Sequence, residues 1–275
     1  MTKTLIFFAT YNEAGNVGPL LTSIVAAAPT ADILVVDDNS KDGTVEAIET
    51  LDMPQVTVLK RRGKLGLGTA HLLALSYAKH KAYHIVVTMD GDLSHDPIYL
   101  PQLLAEIEAG ADLAVGSRYM PGGSCDYTGY RLNISRAANV AARALLGIKL
   151  HEFTTSYRAF RVSALDRVNF TSLLVDGYSF FLSMIVEAVE RGFRLSETPI
   201  HFRERGYGTS KIPPLEIFRG MANLLRLALK KATGSIKVAH LGSLSSCNVC
   251  HTSYSLIVPT HGAGGTCVFC GNHTE

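Results

Sequence analysis

Along the first half of the chain, short apolar runs alternate with segments whose apolar residues recur at helical spacing. TLIFFAT (4–10), ILVV (33–36), VTVL (56–59), IVVTM (85–89) and LAV (113–115) read as strands. Near-continuous apolar runs of this kind suit strands covered on both faces, as in a parallel sheet between helices. Between them, Val17, Leu20, Leu21, Ile24 and Val25 mark a helix that Asn12 can cap. Asp42-Gly43-Thr44 opens a second helix through Leu51, residues 69–79 form a third, and Pro97 stands where a fourth begins. The alternation predicts an α/β three-layer sandwich with a mainly parallel sheet.

The second half is less regular. Helical spacing returns at 130–146 and 178–190, and 194–202 reads as a strand. Pro213-Pro214 starts an amphipathic helix to about residue 231, with Leu224, Leu225, Leu227 and Leu229 on a broad apolar face. That helix either lies in a membrane interface or covers the sheet of its own domain.

In open α/β sheets, ligands bind beyond the carboxyl ends of the strands. Tyr11 and Glu13 follow the first strand, Asp37 and Asp38 the second, Asp90-Gly91-Asp92 the fourth and Arg118 the fifth. Taken alone, each is an ordinary turn residue or helix cap. Four strands ending this way point to one site. Carboxylates after strand two can accept hydrogen bonds from a ribose or a base. Asp90 and Asp92 suit a hard divalent cation shared with a diphosphate, and Arg118 can offer a forked contact to phosphate. The loop RRGKLGLG (61–68) carries G-x-G but no full dinucleotide or phosphate-loop fingerprint, and reads as a basic edge of the donor site or a plain solvated loop. RERGYGTSK (203–211) reads as an anion-gripping lid, with an exposed basic loop as the alternative.

A chain of 275 residues with 47% hydrophobic and 18% charged residues allows one large core-forming domain plus an appendage. The net charge of +2 is too small to argue for nucleic acid. No apolar run reaches the roughly 18 residues of a membrane span, and the leading run is too short for a signal peptide. The expected compartment is cytoplasmic, with any membrane contact peripheral, at its cytoplasmic face.

With these residues assembled, the chain resembles glycosyltransferase family 2, within it the dolichol-phosphate (polyprenyl-phosphate) mannosyltransferase group. TYNEAGNV, VVDDNSKDGT, RRGKLGLGTAH, MDGDLSHDP, GSRY, ISRAAN, GYSFFL and RGYGTSK carry the resemblance, in the family's order. It implies a GT-A fold and transfer of a sugar, mannose from GDP-mannose first among candidates, to a polyprenyl or dolichyl phosphate with inversion. By matched position, Tyr11, Glu13, Val36 and Asp38 would hold the nucleoside, with Ala9 where the family usually has proline. Asp90, Gly91 and Asp92 would hold Mg²⁺ or Mn²⁺ and the diphosphate. Arg118, Arg205 and Lys211 would engage phosphates, and Arg131 and Ser135 would face the lipid-phosphate acceptor. The chain departs from the family at Leu93, usually glutamine, and in EFTTSYR (152–158), where the family's run is D-x-T-S-G-F-R.

Of the five cysteines, Cys247, Cys250, Cys267 and Cys270 crowd the C-terminus as two Cys-x2-Cys pairs, the spacing of a zinc ribbon. So small a module needs its metal to fold. Residues 252–258 suit a β-hairpin arm, returning near Gly262, Gly264 and Gly265. The expected organisation is a GT-A domain at 1–232, a linker at 233–246 and a Zn²⁺-binding module at 247–275. Two further readings stay open: a family 2 transferase with a UDP-sugar or another acceptor, and a non-catalytic nucleotide-sugar-binding zinc-ribbon adaptor acting as a sensor or scaffold. The ribbon itself could dock a partner, stabilise a dimer or touch nucleic acid. A membrane-anchored partner fits either.

Overall fold

The computed structural model describes residues 2–170, 173–174, 177, 179–208, 216–232, 257–259, 265–267 and 273–274. Alternation of strand and helix runs as the apolar pattern predicts: β1 (Thr4–Thr10), α1 (Ala14–Ala27), β2 (Asp32–Asp37), α2 (Thr44–Glu49), β3 (Val56–Lys60), α3 (Leu67–His80) and β4 (Ile85–Asp90). Pro97 opens a 3-10 turn that leads into α4 (Leu100–Glu108), followed by β5 (Leu113–Ser117). Asn12 does not cap α1. The capping position is Glu13, with no side-chain cap bond, while Asn12 sits in the left-handed region at φ 56 with its amide oxygen accepting from Lys41 N in the loop after β2.

After β5 come β6 (Ser124–Cys125), α5 (Gly129–Leu146), β7 (Arg158–Arg161), α6 (Ser179–Glu190), β8 (Leu195–Pro199), β9 (His201–Phe202) and α7 (Glu216–Ala232). The seven-stranded sheet has the order β3-β2-β1-β4-β7-β5-β8. β7 runs antiparallel to both its neighbours, and the others are parallel. The strand expected over 194–202 is broken at Ile200: β8 stays in the sheet while β9 leaves it to pair with β6.

Residues of alternate parity on the strands feed two cores, one on each face. Phe7, Leu34, Val36 and Val86 pack with α3 and α6 residues, and Ile6, Phe8, Val35 and Val87 with those of α1 and α4. A third cluster joins α5, α6 and α7 through Leu146, Ile185, Leu224 and Leu227. The last helix packs on α5 and α6 rather than directly on the sheet. α7 covers the domain with Leu224 and Leu227 and leaves Met221, Leu225 and Leu229 exposed along another stripe. Among the described residues no helix is long and apolar enough to cross a membrane.

β10 (Ile257–Pro259), β11 (Gly265–Cys267) and β12 (His273–Thr274) form an antiparallel sheet, with Ile257 opposite Cys267. β10 overlaps the expected arm at 257–258, and residues 252–256 lie outside the described residues. Cys247, Cys250, Cys270, Lys211 and the linker lie outside the described residues.

Candidate active site

The carboxyl end of β4 is the centre of the site. A Cβ at Gly91 would lie 2.8 Å from the Ala9 carbonyl oxygen, so the turn pressed against β1 admits only glycine. Asp92 Oδ1 accepts from Ser94 N at 3.1 Å and Ser94 Oγ at 2.5 Å, and Asp90 Oδ1 accepts from Ser156 Oγ at 2.5 Å. A hydroxyl on one oxygen thus orients each carboxylate. Burial pushes the Asp90 carboxyl up, against the pull of Ser156, Arg118 and Arg205, and the nearby Glu13 charge adds to the rise.

His95 holds this turn from below. Its Nδ1 accepts from Asp90 N at 3.0 Å, which leaves the proton on Nε2, 3.3 Å from Thr155 Oγ1. The ring is fully buried between Tyr157 and Phe202, and burial pushes it down to about 3. His95 Nδ1 also lies 3.6 Å from Asp90 Oδ2. That distance makes no ion pair, since the ring is neutral and Nδ1 is already an acceptor.

The 203–207 segment lies across the two carboxylates. Arg203 pairs with Asp96 at 2.6 Å, and Gly206 N donates to Asp92 O at 3.0 Å. Arg205 spans the cleft, with Nη1 2.7 Å from Glu13 Oε1 and Nη2 2.9 Å from Asp92 Oδ2. Burial works against the Arg205 charge, but Asp92 and Glu13 outweigh it and hold the guanidinium above its ordinary value.

This cluster suits a hard divalent cation. Glu13 and Asp92 pair with Arg205, and the Asp90 charge lies near it. Of the described side chains, no Ser engages Asp90 Oδ2, and Arg205 alone holds Asp92 Oδ2. Among the described residues no three His, Cys, Asp or Glu side chains converge as a full ligand set. Mg²⁺ and Mn²⁺ commonly take one or two carboxylates and complete their shell with substrate phosphates and water.

At the β5 end, Arg118 gives its fork to Glu152, Nε to Oε2 at 2.7 Å and Nη2 to Oε1 at 2.9 Å, with Nη2 also 3.2 Å from Thr154 Oγ1. Its guanidinium lies over the Phe202 ring, 4.8 Å from the centroid. Burial raises the Glu152 carboxyl, but Arg118 and Thr154 more than reverse this and leave it below the usual carboxylate range. The bidentate contact expected for phosphate is thus made to a carboxylate of the protein. On α5, Ser135 Oγ accepts from Tyr119 Oη at 2.7 Å, and burial pushes the Tyr119 phenol up. Arg118, Tyr119, Arg136, Asn139, Arg143 and His151 line a cleft of about 270 Å³ beside this helix.

At the β2 end, Asp38 is buried and paired with Arg61, whose side chain is 0% exposed. Arg61 also donates to Thr69 Oγ1 at 2.7 Å and Gly66 O at 3.1 Å. Val36 is fully buried with its side chain in the core, so a nucleoside at this edge can meet only its backbone. Ala9 and Tyr11 are partly exposed at the end of β1, and Lys64 Nζ stands 4.5 Å from the Tyr11 ring centroid.

The structure therefore brings Glu13, Asp90, Gly91, Asp92 and Arg205 together, and places Arg118 and Ser135 on the α5 side. Asp38 is turned to an internal partner. The α5 backbone carries Arg131. Sequence reasoning missed His95, Ser156, Asn16 and the Arg118–Glu152 pair. Ser156 stands where the family resemblance has glycine, and that departure was the available signal. Asn16 is a polar residue among the apolar positions of α1, which was the signal for it.

A family model described as Glycosyl transferase family 2 matches residues 5–168. The chain is 37% identical over 243 residues to a polyprenol monophosphomannose synthase of Mycolicibacterium smegmatis, covering 86% of this chain and 92% of that one. It is 36% identical over 230 residues to an undecaprenyl-phosphate mannosyltransferase of Micrococcus luteus, covering 82% and 94%. Among solved structures, glucosyl-3-phosphoglycerate synthase of Mycobacterium tuberculosis with Mn²⁺, UDP and glucosyl-3-phosphoglycerate superposes with a TM-score of 0.60 at 19% identity, covering 82% of this chain and 80% of that one. That likeness shows the shared GT-A fold. The chain belongs to glycosyl transferase family 2 and is a glycosyltransferase.

Proposed function

We propose that this glycosyltransferase moves mannose from GDP-mannose to a polyprenyl phosphate with inversion, using a divalent cation at Asp90 and Asp92. The observation that carries the reading is the β4 edge, where two serine-oriented carboxylates meet a guanidinium that reaches over from a lid. The names of the two relatives supply the sugar and the acceptor class.

Bound there, Mg²⁺ or Mn²⁺ would neutralise charge on the departing diphosphate. Asp90 and Asp92 would hold it, each fixed by its serine. Arg205 would transfer its Asp92 contact to the donor diphosphate, joined by Lys211, while Glu13, Tyr11 and the backbone at Val36 and Asp38 would line the nucleoside. A phosphate monoester is already an anionic nucleophile at neutral pH, so the protein needs no general base. It has to align acceptor and anomeric carbon and offset two phosphate groups. Arg131 and Ser135, with the cationic cleft beside α5, suit the acceptor side. Arg118 supports that side through Glu152 and the Phe202 ring beneath it.

Two proposals concern the periphery. The exposed stripe of Met221, Leu225 and Leu229 on α7 and the exposed Tyr130 and Ile134 on α5 suit contact with a membrane surface carrying the acceptor. Cys247, Cys250, Cys267 and Cys270 would hold one Zn²⁺, with Cys267 at the end of the β10–β11 hairpin. Elemental analysis giving one zinc per chain would support this, and a chain purified without zinc but with an ordered tail would sink it.

The test of the main reading is transfer of radiolabelled mannose from GDP-mannose to polyprenyl phosphate in detergent, with Mn²⁺ or with EDTA. Lipid-extractable product that EDTA abolishes is the expected result. Transfer from UDP-glucose alone, or product formation indifferent to EDTA, would overturn it.

A further inference from the structure

We infer that Asn16 is a positioning residue that latches the lid over the donor site; the inference rests on the reading of Arg205 as a contact to the donor diphosphate. Asn16 lies in the first turn of α1, is 1% exposed, and uses its amide on both sides of the cleft. Nδ2 donates to Glu13 Oε2 at 2.6 Å and to Tyr207 O at 3.2 Å, while Oδ1 accepts from Tyr207 N at 3.0 Å. The two contacts to Tyr207 imitate one rung of an antiparallel ladder, made by a side chain.

That rung is what fixes the lid. The Tyr207 side chain is 63% exposed, so apolar burial contributes little there. A Cβ on Gly206 would lie 2.7 Å from Leu93 Cδ1 and 3.0 Å from Asn16 Oδ1, so the segment passes close between these two side chains and a larger residue would have to displace one of them. On the other flank, a Cβ on Gly15 would meet the Tyr207 ring at 3.4 Å. One amide thus orients the carboxylate that holds Arg205 and grips the residue two positions beyond it. With Asn16 in place, Arg205 can exchange Asp92 for a diphosphate without the lid leaving the site.

Limited trypsin digestion of the ligand-free full chain reads this latch without needing turnover. Cleavage after Arg203 and Arg205 is followed by mass spectrometry, and the thermal midpoint is measured alongside. Losing the two rung hydrogen bonds in Asn16→Ala should speed cleavage at these sites about tenfold. The donor KM should rise more than kcat falls. Asn16→Asp keeps one acceptor, loses both donors and sets a second carboxylate against Glu13, so its lid should open further than that of Asn16→Ala. If the Asn16 variants fold poorly, Gly206→Ala tests the same passage from the lid side and should also speed cleavage. Unchanged cleavage in the folded variants, or cleavage spread evenly along the chain with a collapsed midpoint, would overturn the latch. Faster lid cleavage in a protein that transfers nothing from GDP-mannose would uphold the latch and remove the proposed reaction instead.

Discussion

Two strands of the sheet, β2 and β4, end in paired acids followed closely by a serine, and the two pairs do different work. At β2, Asp38 meets an arginine from the adjoining turn that is 0% exposed and held by Thr69 and Gly66. At β4, Asp92 meets Arg205, which is 22% exposed and comes from a segment 113 residues downstream, the distance from 92 to 205. The first pair is closed on itself. The second spans a cleft, and on the proposed reading its cation exchanges Asp92 for the donor diphosphate. Similar local sequence thus yields an enclosed pair or a cleft-spanning pair according to where the counter-charge comes from.

The sharpest way to break this comparison is at Asp92. Asp92→Ala should lower kcat/KM by on the order of 10³-fold, with circular dichroism and thermal midpoint nearly unchanged. Near-native turnover would remove Asp92 from the reaction. The opposite signature belongs to β2. Asp38→Ala strands a buried guanidinium and should cost about 3–5 kcal/mol in urea unfolding. Burial pushes Asp38 up against Arg61's pull and pushes Arg61 down, so the pair itself is held at a cost. The double variant Asp38→Ala/Arg61→Met should therefore recover much of the loss. A double variant as unstable as the sum of the singles would contradict that account.

A smaller effect is expected at Ser156. Ser156→Ala leaves Asp90 unoriented and should raise the Mn²⁺ concentration for half-maximal transfer about tenfold. An unchanged metal titration would reduce Ser156 to packing. The smallest effect concerns stability at Asp90. Its pKa in the folded protein is raised, so its contribution is fully present below the ordinary value of 3.8 and is lost as pH rises through the raised value. Asp90→Asn should therefore abolish transfer yet raise the midpoint at pH 7 by on the order of 1–2 °C, with the gain fading as pH falls towards 3.8. A lower midpoint at pH 7 would show that the carboxylate stabilises the free protein.

The apolar pattern made β1 to β5 and the helices between them legible, because each strand is buried on both faces and reads as an uninterrupted run. β7 was not legible. Its approach, EFTTSY, is polar because Glu152, Thr154, Thr155 and Ser156 serve Arg118, His95 and Asp90. Its first residue, Arg158, is a fully buried cation that donates to the Phe181 and Phe153 carbonyls, and a charge in a short run reads as exposed. The site was legible in part for a related reason. Strand ends show which side chains reach one edge, and Asp90, Asp92 and Glu13 do come together there. They do not show which acid finds a cation within the protein, so Asp38 with Arg61 and Arg118 with Glu152 appeared as ligand contacts. Asn16 looked like a helix residue because its partner lies 191 positions away.

The reversed strand β7 also sets the order in which the protein can assemble. β4 and β5 are neighbours in sequence but not in the sheet, and each waits for β7 to fill the place between them. Ser156 lies 66 residues beyond Asp90. Closing so long a loop has an entropic cost that grows with the logarithm of its length and slows the pairing that depends on it. A chain emerging from the ribosome therefore carries its acidic turn on an incomplete sheet, with β4 unpaired along one edge, until residues 158–161 arrive. Ser156 can engage Asp90 only as that gap closes, and β8 and the segment that carries Arg205 join the sheet edge later still, so the acidic turn is completed in stages from the far end of the chain.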